Sequence, residues 1–285
     1  MGTKLHVYSL KQIYCLFVYA YVGDVTLISF LAYKTYTSNY REQSHPSENN
    51  TSDGQYEATL PDYLQVRDEY GMKDLLMFVV ISVLSSQVMY HVVCGFLQLY
   101  YYSLQRDNPE KWKCQPHRFL TRENEIHEIV VGTINMTITS TLSGFISCWI
   151  ANGHYSSVYF RVDEFGYLYF ALTIPLFFLW LEASLYYTHR MLHTPWLYKT
   201  FHKQHHRYHA PTAYSLIAMS PAEAILFQSL LVVPLFTIPI HAMAFISVAV
   251  YVYYFGMIDH SGIKMESWFP WQPDSIYHDD HHRCV

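Results

Sequence analysis

The sequence predicts an all-α integral membrane protein, a helical bundle of about four transmembrane spans with a short helical hairpin and a cytosolic histidine-rich cap. Three observations predict it. Of 285 residues, 51% are hydrophobic and only 14% charged, against roughly 25% charged in an ordinary soluble domain. Several uncharged stretches reach or approach the roughly 20 helical residues that cross a hydrocarbon core of about 30 Å. Histidine is abundant and clustered, with 17 in the chain and six of them between His189 and His209.

The same composition excludes other classes. With 27 Tyr, 17 Phe and 6 Trp the chain is too aromatic for soluble disorder, and 11 Gly and 12 Pro rule out a collagen-like repeat. Cys15, Cys94, Cys114, Cys148 and Cys284 form no CxxC pair, so neither a disulfide framework nor a thiolate zinc site is indicated. A net charge of −5 offers no attraction for a polyanion, and nucleic acid is not an expected partner.

The elements follow in chain order. Residues 13–33 are apolar apart from Asp24 and read as a first span, retained as an anchor because no small-residue cleavage site follows a short apolar core. A polar linker, 35–73, carries overlapping glycosylation sequons at Asn49 and Asn50. No Asp, Glu, Lys or Arg occurs in 75–105 or 129–160, and a shorter uncharged run, 165–181, ends at Glu182. These are three further spans. After Glu223 another 35 residues pass without charge up to Asp259, interrupted by Pro234 and Pro239, which fits two short helices in a hairpin. The division expected is 1–73 as anchor and luminal linker, 74–164 as transmembrane helices and 165–285 as the catalytic region.

Orientation follows from the basic residues, which stay cytoplasmic. The 103–127 loop carries Arg106, Lys111, Lys113, Arg118 and Arg122, whereas the next loop carries only Arg161. The first loop is expected in the cytosol and the second in the lumen. The stretch 189–209, with Arg190, Lys199, Lys203 and Arg207, then falls on the cytosolic side, as does the chain near Lys264.

Three clusters carry the chemistry: HRMLH (His189, His193), HKQHH (His202, His205, His206) and HDDHH (His278, His281, His282). On a helix, positions i and i+3 or i+4 share a face, while adjacent residues point about 100° apart. Each HH pair therefore fits two neighbouring metals better than one tetrahedral site. Eight imidazoles also exceed what one structural or catalytic zinc uses. His260, in IDHSG, surfaces on the same side and is a candidate ninth ligand. Glu182, on one helical stripe with His189 and His193, is a candidate outer hydrogen-bond partner; Asp259, Asp279 and Asp280 are the other available carboxylates, with simple interfacial charge as the competing reading, above all for Asp279 and Asp280. His209 is left unassigned, His91 and His241 are expected to be hydrogen-bonded inside the bundle, and His6, His45, His117, His127 and His154 are read as loop or span-end residues. HExxH, GxGxxG, a phosphate loop and a nucleophile elbow are all absent. Imidazole suits redox iron, and a non-haem iron with open positions activates oxygen.

In this order the three clusters resemble the HxxxH, HxxHH and HxxHH boxes of the fatty acid hydroxylase and sterol desaturase superfamily of membrane di-iron oxygenases, over roughly residues 165–285. Within it, PWLYKTFHKQHH, AMSPAEA and DHSG look most like cholesterol 25-hydroxylase-like sterol hydroxylases. The resemblance implies a multi-pass endoplasmic reticulum enzyme with two Fe per chain. It would use O2 and electrons relayed from NAD(P)H through cytochrome b5 or its reductase to hydroxylate a lipid, here a sterol. Sterol desaturase, methylsterol oxidase and fatty acid or sphingoid-base hydroxylase activities belong to the same superfamily. No HPGG haem motif is present, so the cytochrome is expected as a separate partner. Family members normally continue some tens of residues past the third box, so the end at Val285 reads as a C-terminally short form. Two readings from other classes stand beside this one: a membrane zinc-binding or transport protein, and a catalytically inactive short form.

Overall fold

The computed structural model describes residues 71–266 and 272–285. The expected first span, 13–33, and the sequons at Asn49 and Asn50 lie outside them.

Helix α1 (Leu75–Leu97) continues through a π-helical turn, Gln98–Ser103, and returns as α2 (Arg122–Ala151). Thr121 caps α2 by accepting the Asn124 N–H at 3.3 Å, and Glu123 and Glu125 complement the positive end of its dipole. The two helices run antiparallel, with contacts stepping from Lys73–Cys148 through Val79–Gly144 to Gln87–Thr137. Small residues permit the approach, because a Cβ on Gly144 would sit 2.6 Å from the Val79 Cα. Gln87 bridges to the Thr133 carbonyl at 3.0 Å and to the Thr137 hydroxyl at 2.8 Å. Gly144→Val is expected to destabilise the pair by about 1–3 kcal/mol, since backbone cannot swing aside as a side chain would. A lowered thermal midpoint in detergent checks this, and an unchanged midpoint counts against the close packing.

A two-residue strand, β1 (Val158–Tyr159), pairs in parallel with β2 (Ile240–His241), and α3 (Tyr167–Leu192) follows β1. Past α3 come α4 (Pro195–Thr200) and a 3-10 turn, His202–Arg207. An irregular stretch then precedes α5 (Pro221–Val232), the short α6 (Pro234–Thr237), α7 (Ala242–Asp259) and α8 (Ser275–Cys284).

Irregular backbone inside a membrane bundle must have its polar groups satisfied by protein. Helix α2 and its neighbour supply this for residues 212–219. Glu128 accepts from Thr212 at 2.7 Å and from Ser215 at 2.5 Å, Asn135 donates to the Ile217 and Met219 carbonyls at 2.9 and 2.8 Å, and Tyr90 donates to the Tyr214 carbonyl at 2.7 Å.

The all-α membrane bundle agrees with expectation, and one detail differs. Among the described residues, four helical stretches are long and apolar enough to cross a bilayer: 75–103, 122–151, 167–192 and 242–259. The helix that holds most of the uncharged run 165–181 extends through Glu182 to Leu192, as the shared stripe of Glu182 and His189 requires. The hairpin is unequal. Pro234 and Pro239 end the first arm early, whereas the second arm, α7, has 18 residues, about 27 Å at 1.5 Å each.

Candidate metal centre

All nine histidines singled out in the sequence come together where α3 ends, α5 begins and α7 ends. They form two groups. His189, His193, His202, His206 and His281 make one, His205, His260, His278 and His282 the other, and within each the nitrogens lie within 4.8 Å of one another. Each HH pair is divided between the groups: the His205 and His206 rings are 5.7 Å apart, those of His281 and His282 6.0 Å.

Several elements position these rings. His189 lies in the last turn of α3 and His193 at its C-cap. HKQHH winds as a 3-10 turn instead of the α-helix assumed from its spacing, and its three histidines are fully buried. Pro195 starts a new helix just upstream, so the reversal after α3 leads directly into the tight turn. His260 caps α7, and the third cluster lies on α8.

Hydrogen-bond partners determine where each proton sits. The His260 Nδ1 lies 2.7 Å from the Gly256 carbonyl, which only accepts, so the proton is on Nδ1 and Nε2 presents a lone pair. His202 Nδ1 is 2.5 Å from Glu223 Oε1, with the same consequence, and His278 Nδ1 stands 3.4 Å from Asp259 Oδ2. Yet the His278 and His260 Nε2 atoms face each other at 2.9 Å, and His202 Nε2 stands 3.1 Å from His193 Nε2 and 3.0 Å from His206 Nε2. Each of His260 and His202, with its proton on Nδ1, thus turns an Nε2 lone pair toward a neighbouring Nε2, an arrangement that a cation between the rings would satisfy.

The other contacts agree. His189 approaches His281 at 2.8 Å, His193 approaches His189 at 3.1 Å and His281 at 3.0 Å, and His205 approaches His260 at 3.2 Å. Among the described residues, neither buried ring nitrogen of His282 has a hydrogen-bond partner. Nitrogens about 2.1 Å from one ion at right angles are about 3.0 Å apart, and in a tetrahedron about 3.4 Å. The donor set thus fits two cations, with the crowding of a six-coordinate ion. Burial pushes the imidazoles down, reinforced by neighbouring rings: His193 and His260 to about 4, His206 to about 2, and His205, His278 and His282 well below the usual histidine value. These rings are neutral at physiological pH, as metal ligation requires.

Of the four carboxylates available as outer partners, Asp259 alone comes near one of these imidazoles, and Asp280 is an interfacial charge. Glu182 shares the helical stripe but bonds no histidine nitrogen and instead lines a cavity, because α3 turns that side toward α5 and α7. Asp279 accepts from Gln115 at 2.9 Å, and Asp280 pairs with Arg283 at 3.0 Å. The carboxylate on His202 is Glu223, which the sequence showed as the edge of an apolar run and within AMSPAEA but not as a histidine partner. Its local signal is Ser220-Pro221-Ala222-Glu223: Ser220 caps α5 by accepting the Glu223 N–H at 3.4 Å, placing the acid in the first turn facing the centre.

Other histidines fall where expected. His91 contacts the Thr133 hydroxyl at 3.3 Å, and His241 lies 3.1 Å from the Phe160 carbonyl. His209, left unassigned, lies outside both groups, with Nδ1 3.2 Å from the His282 carbonyl.

A cavity of about 620 Å³ leads from the histidines between α3, α5 and α7 to Thr139 of α2. Tyr186 and Arg190 stand on its wall, the guanidinium 3.1 Å from the phenol oxygen.

Comparison with known proteins agrees with this architecture. Residues 174–285 match the family model described as fatty acid hydroxylase. A Delta(7)-sterol 5(6)-desaturase of Schizosaccharomyces pombe is 31% identical over 130 residues, 45% of this chain and 42% of that protein. Rat lathosterol oxidase is 28% identical over 132 residues, 45% and 44% respectively, and a Delta(7)-sterol 5(6)-desaturase of Candida albicans is 32% identical over 112 residues, 38% and 28%. The chain spans less than half the length of these relatives. No solved structure matches. The relatives carry desaturase and oxidase names, whereas the motifs around the boxes most resembled sterol 25-hydroxylases; one superfamily holds both. Residues 174–285, which include all nine clustered histidines, are thus similar to the fatty acid hydroxylase family and to sterol desaturases.

Proposed function

We propose that this protein is a membrane-bound, O2-dependent di-iron oxidoreductase that hydroxylates a sterol. The carrying observation is the pair of imidazole groups, ring nitrogens facing one another, at one end of an apolar cavity. His189, His193, His202, His206 and His281 would hold one iron, and His205, His260, His278 and His282 the other. Bound there, iron supplies the power to oxidise an unactivated C–H bond with O2 and two external electrons.

The remaining work falls to the chain. Glu223 holds the outer N–H group of His202, fixing ring orientation and tautomer, and Asp259 stands beside His278. The cavity walls position an apolar substrate and exclude water from the reacting carbon. Electrons would come from NAD(P)H through a separate cytochrome b5 or reductase, with Lys199, Lys203, Arg207 and the basic 103–127 loop attracting its acidic face. Lys113 of that loop takes no part, being fully buried beneath Tyr102, Trp112 and Phe119. We place the protein in the endoplasmic reticulum membrane with its histidines toward the cytosol. Glycosylation at Asn49 or Asn50, and none at a sequon introduced at 195–200, is the expected labelling pattern; the reverse inverts the topology.

Desaturation is the second reading, favoured by the names of the relatives. Anaerobic purification with metal analysis, followed by O2-dependent product analysis on a sterol panel, tests the proposal. About two irons per chain and an oxidised sterol are expected. One zinc and no iron would leave the zinc-binding reading instead.

A further inference from the structure

Past its histidine-lined end, the wall of the 620 Å³ cavity is interrupted by a hydrogen-bonded chain of polar side chains. Ser143 of α2 donates to the Thr139 carbonyl at 3.1 Å, so its oxygen accepts from Gln228 Nε2 of α5 at 2.9 Å. With the nitrogen turned to Ser143, the amide oxygen faces Tyr253 of α7, whose hydroxyl donates to it at 3.1 Å. Gln228 and Tyr253 also line a second cavity of about 220 Å³, whose wall includes Ser143, so the polar chain stands where the two spaces meet.

A primary amide has two N–H donors and two carbonyl lone pairs. Among the described residues Gln228 commits one of each, and the Tyr253 oxygen keeps a lone pair to accept with. A buried amide with unused capacity in apolar surroundings is costly without a polar partner. A hydroxyl, which both donates and accepts, is the complement. The end of an acyl chain would leave both capacities unmet.

We propose that Gln228, supported by Ser143 and Tyr253, is the recognition site for the single hydroxyl of a sterol. The inference rests on the sterol reading above and adds the group recognised and where it sits. Tyr253 precedes His260 by seven residues on α7, about 10 Å of helix rise. A sterol held by its hydroxyl here presents to the histidines a carbon about 10 Å from its carbinol. That carbon is remote from the 5(6) bond in the relatives' names, which lies on the ring beside the carbinol ring.

Equilibrium binding of cholesterol and of its 3-deoxy analogue to the full chain in nanodiscs tests this without turnover. The wild type is expected to prefer cholesterol roughly 10-fold, one to two hydrogen bonds. Gln228→Met, similar in volume, brings the ratio near one, and Tyr253→Phe, the milder change, lowers it several-fold. Equal binding of the two sterols by the wild type, or a preference that survives both substitutions, overturns the proposal. Metal content separates the two readings: a chain without iron that still discriminates the sterols refutes the di-iron assignment and leaves the hydroxyl site standing.

Discussion

His282→Ala is expected to lower iron from about two to about one per chain and to abolish sterol oxidation. His282 belongs to the group of four, which has no imidazole to spare, and its ring is fully buried with neither nitrogen hydrogen-bonded among the described residues. His205→Ala should behave alike. The group of five tolerates more: with His189→Ala, four imidazoles remain, as many as the intact neighbouring group has, and two irons are expected to be retained. Metal analysis with a single-turnover assay decides it. The loss of turnover in His282→Ala should exceed the roughly 10- to 100-fold that removing an outer hydrogen-bond partner costs. Equal iron loss from His189→Ala and His282→Ala would refute the division into five and four.

The second large effect is expected at Glu223. Its carboxylate fixes the His202 proton on Nδ1, so Glu223→Leu frees the ring to carry the proton on Nε2, where the lone pair faces His193 and His206. Iron affinity should fall about 10- to 100-fold, with activity following. Glu223→Gln, which still offers an accepting oxygen, should lose less. Glu182→Ala should leave iron content unchanged, because Glu182 reaches no histidine; a Glu182 effect as large as that of Glu223 would mean that the outer partners are misassigned. Competitive chelator titration of purified variants measures all three.

Much of the centre was legible in the chain, for a local reason. Neighbouring residues on a helical turn point about 100° apart, so the two HH pairs implied two metals before any fold was known, and the folded chain does divide His205 from His206 and His281 from His282. His260 was legible because Asp259 ends an apolar run and brings the next residue to the level of the boxes. Glu223 was not. It reaches His202 across 21 residues of sequence, through a reversal and an irregular stretch whose course is set by α2. The 3-10 winding of HKQHH was equally hidden, since its spacing suits an α-helix too.

Taken alone, the sequence determined the solvent class and the clustering of histidines: apolar lengths that match a bilayer, and imidazoles at spacings no packing need explains. Both are short-range properties, written in composition and in the 3.6-residue period. Tertiary structure alone decided which nitrogens face one another, which carboxylate stands behind His202, and that Ser143, Gln228 and Tyr253, on three helices, join into one polar chain inside an apolar cavity. The reason is physical. A hydrogen bond depends on distance and direction within a few tenths of an ångström, and for residues far apart in the chain those are set by how helices pack, not by what lies beside each residue in sequence.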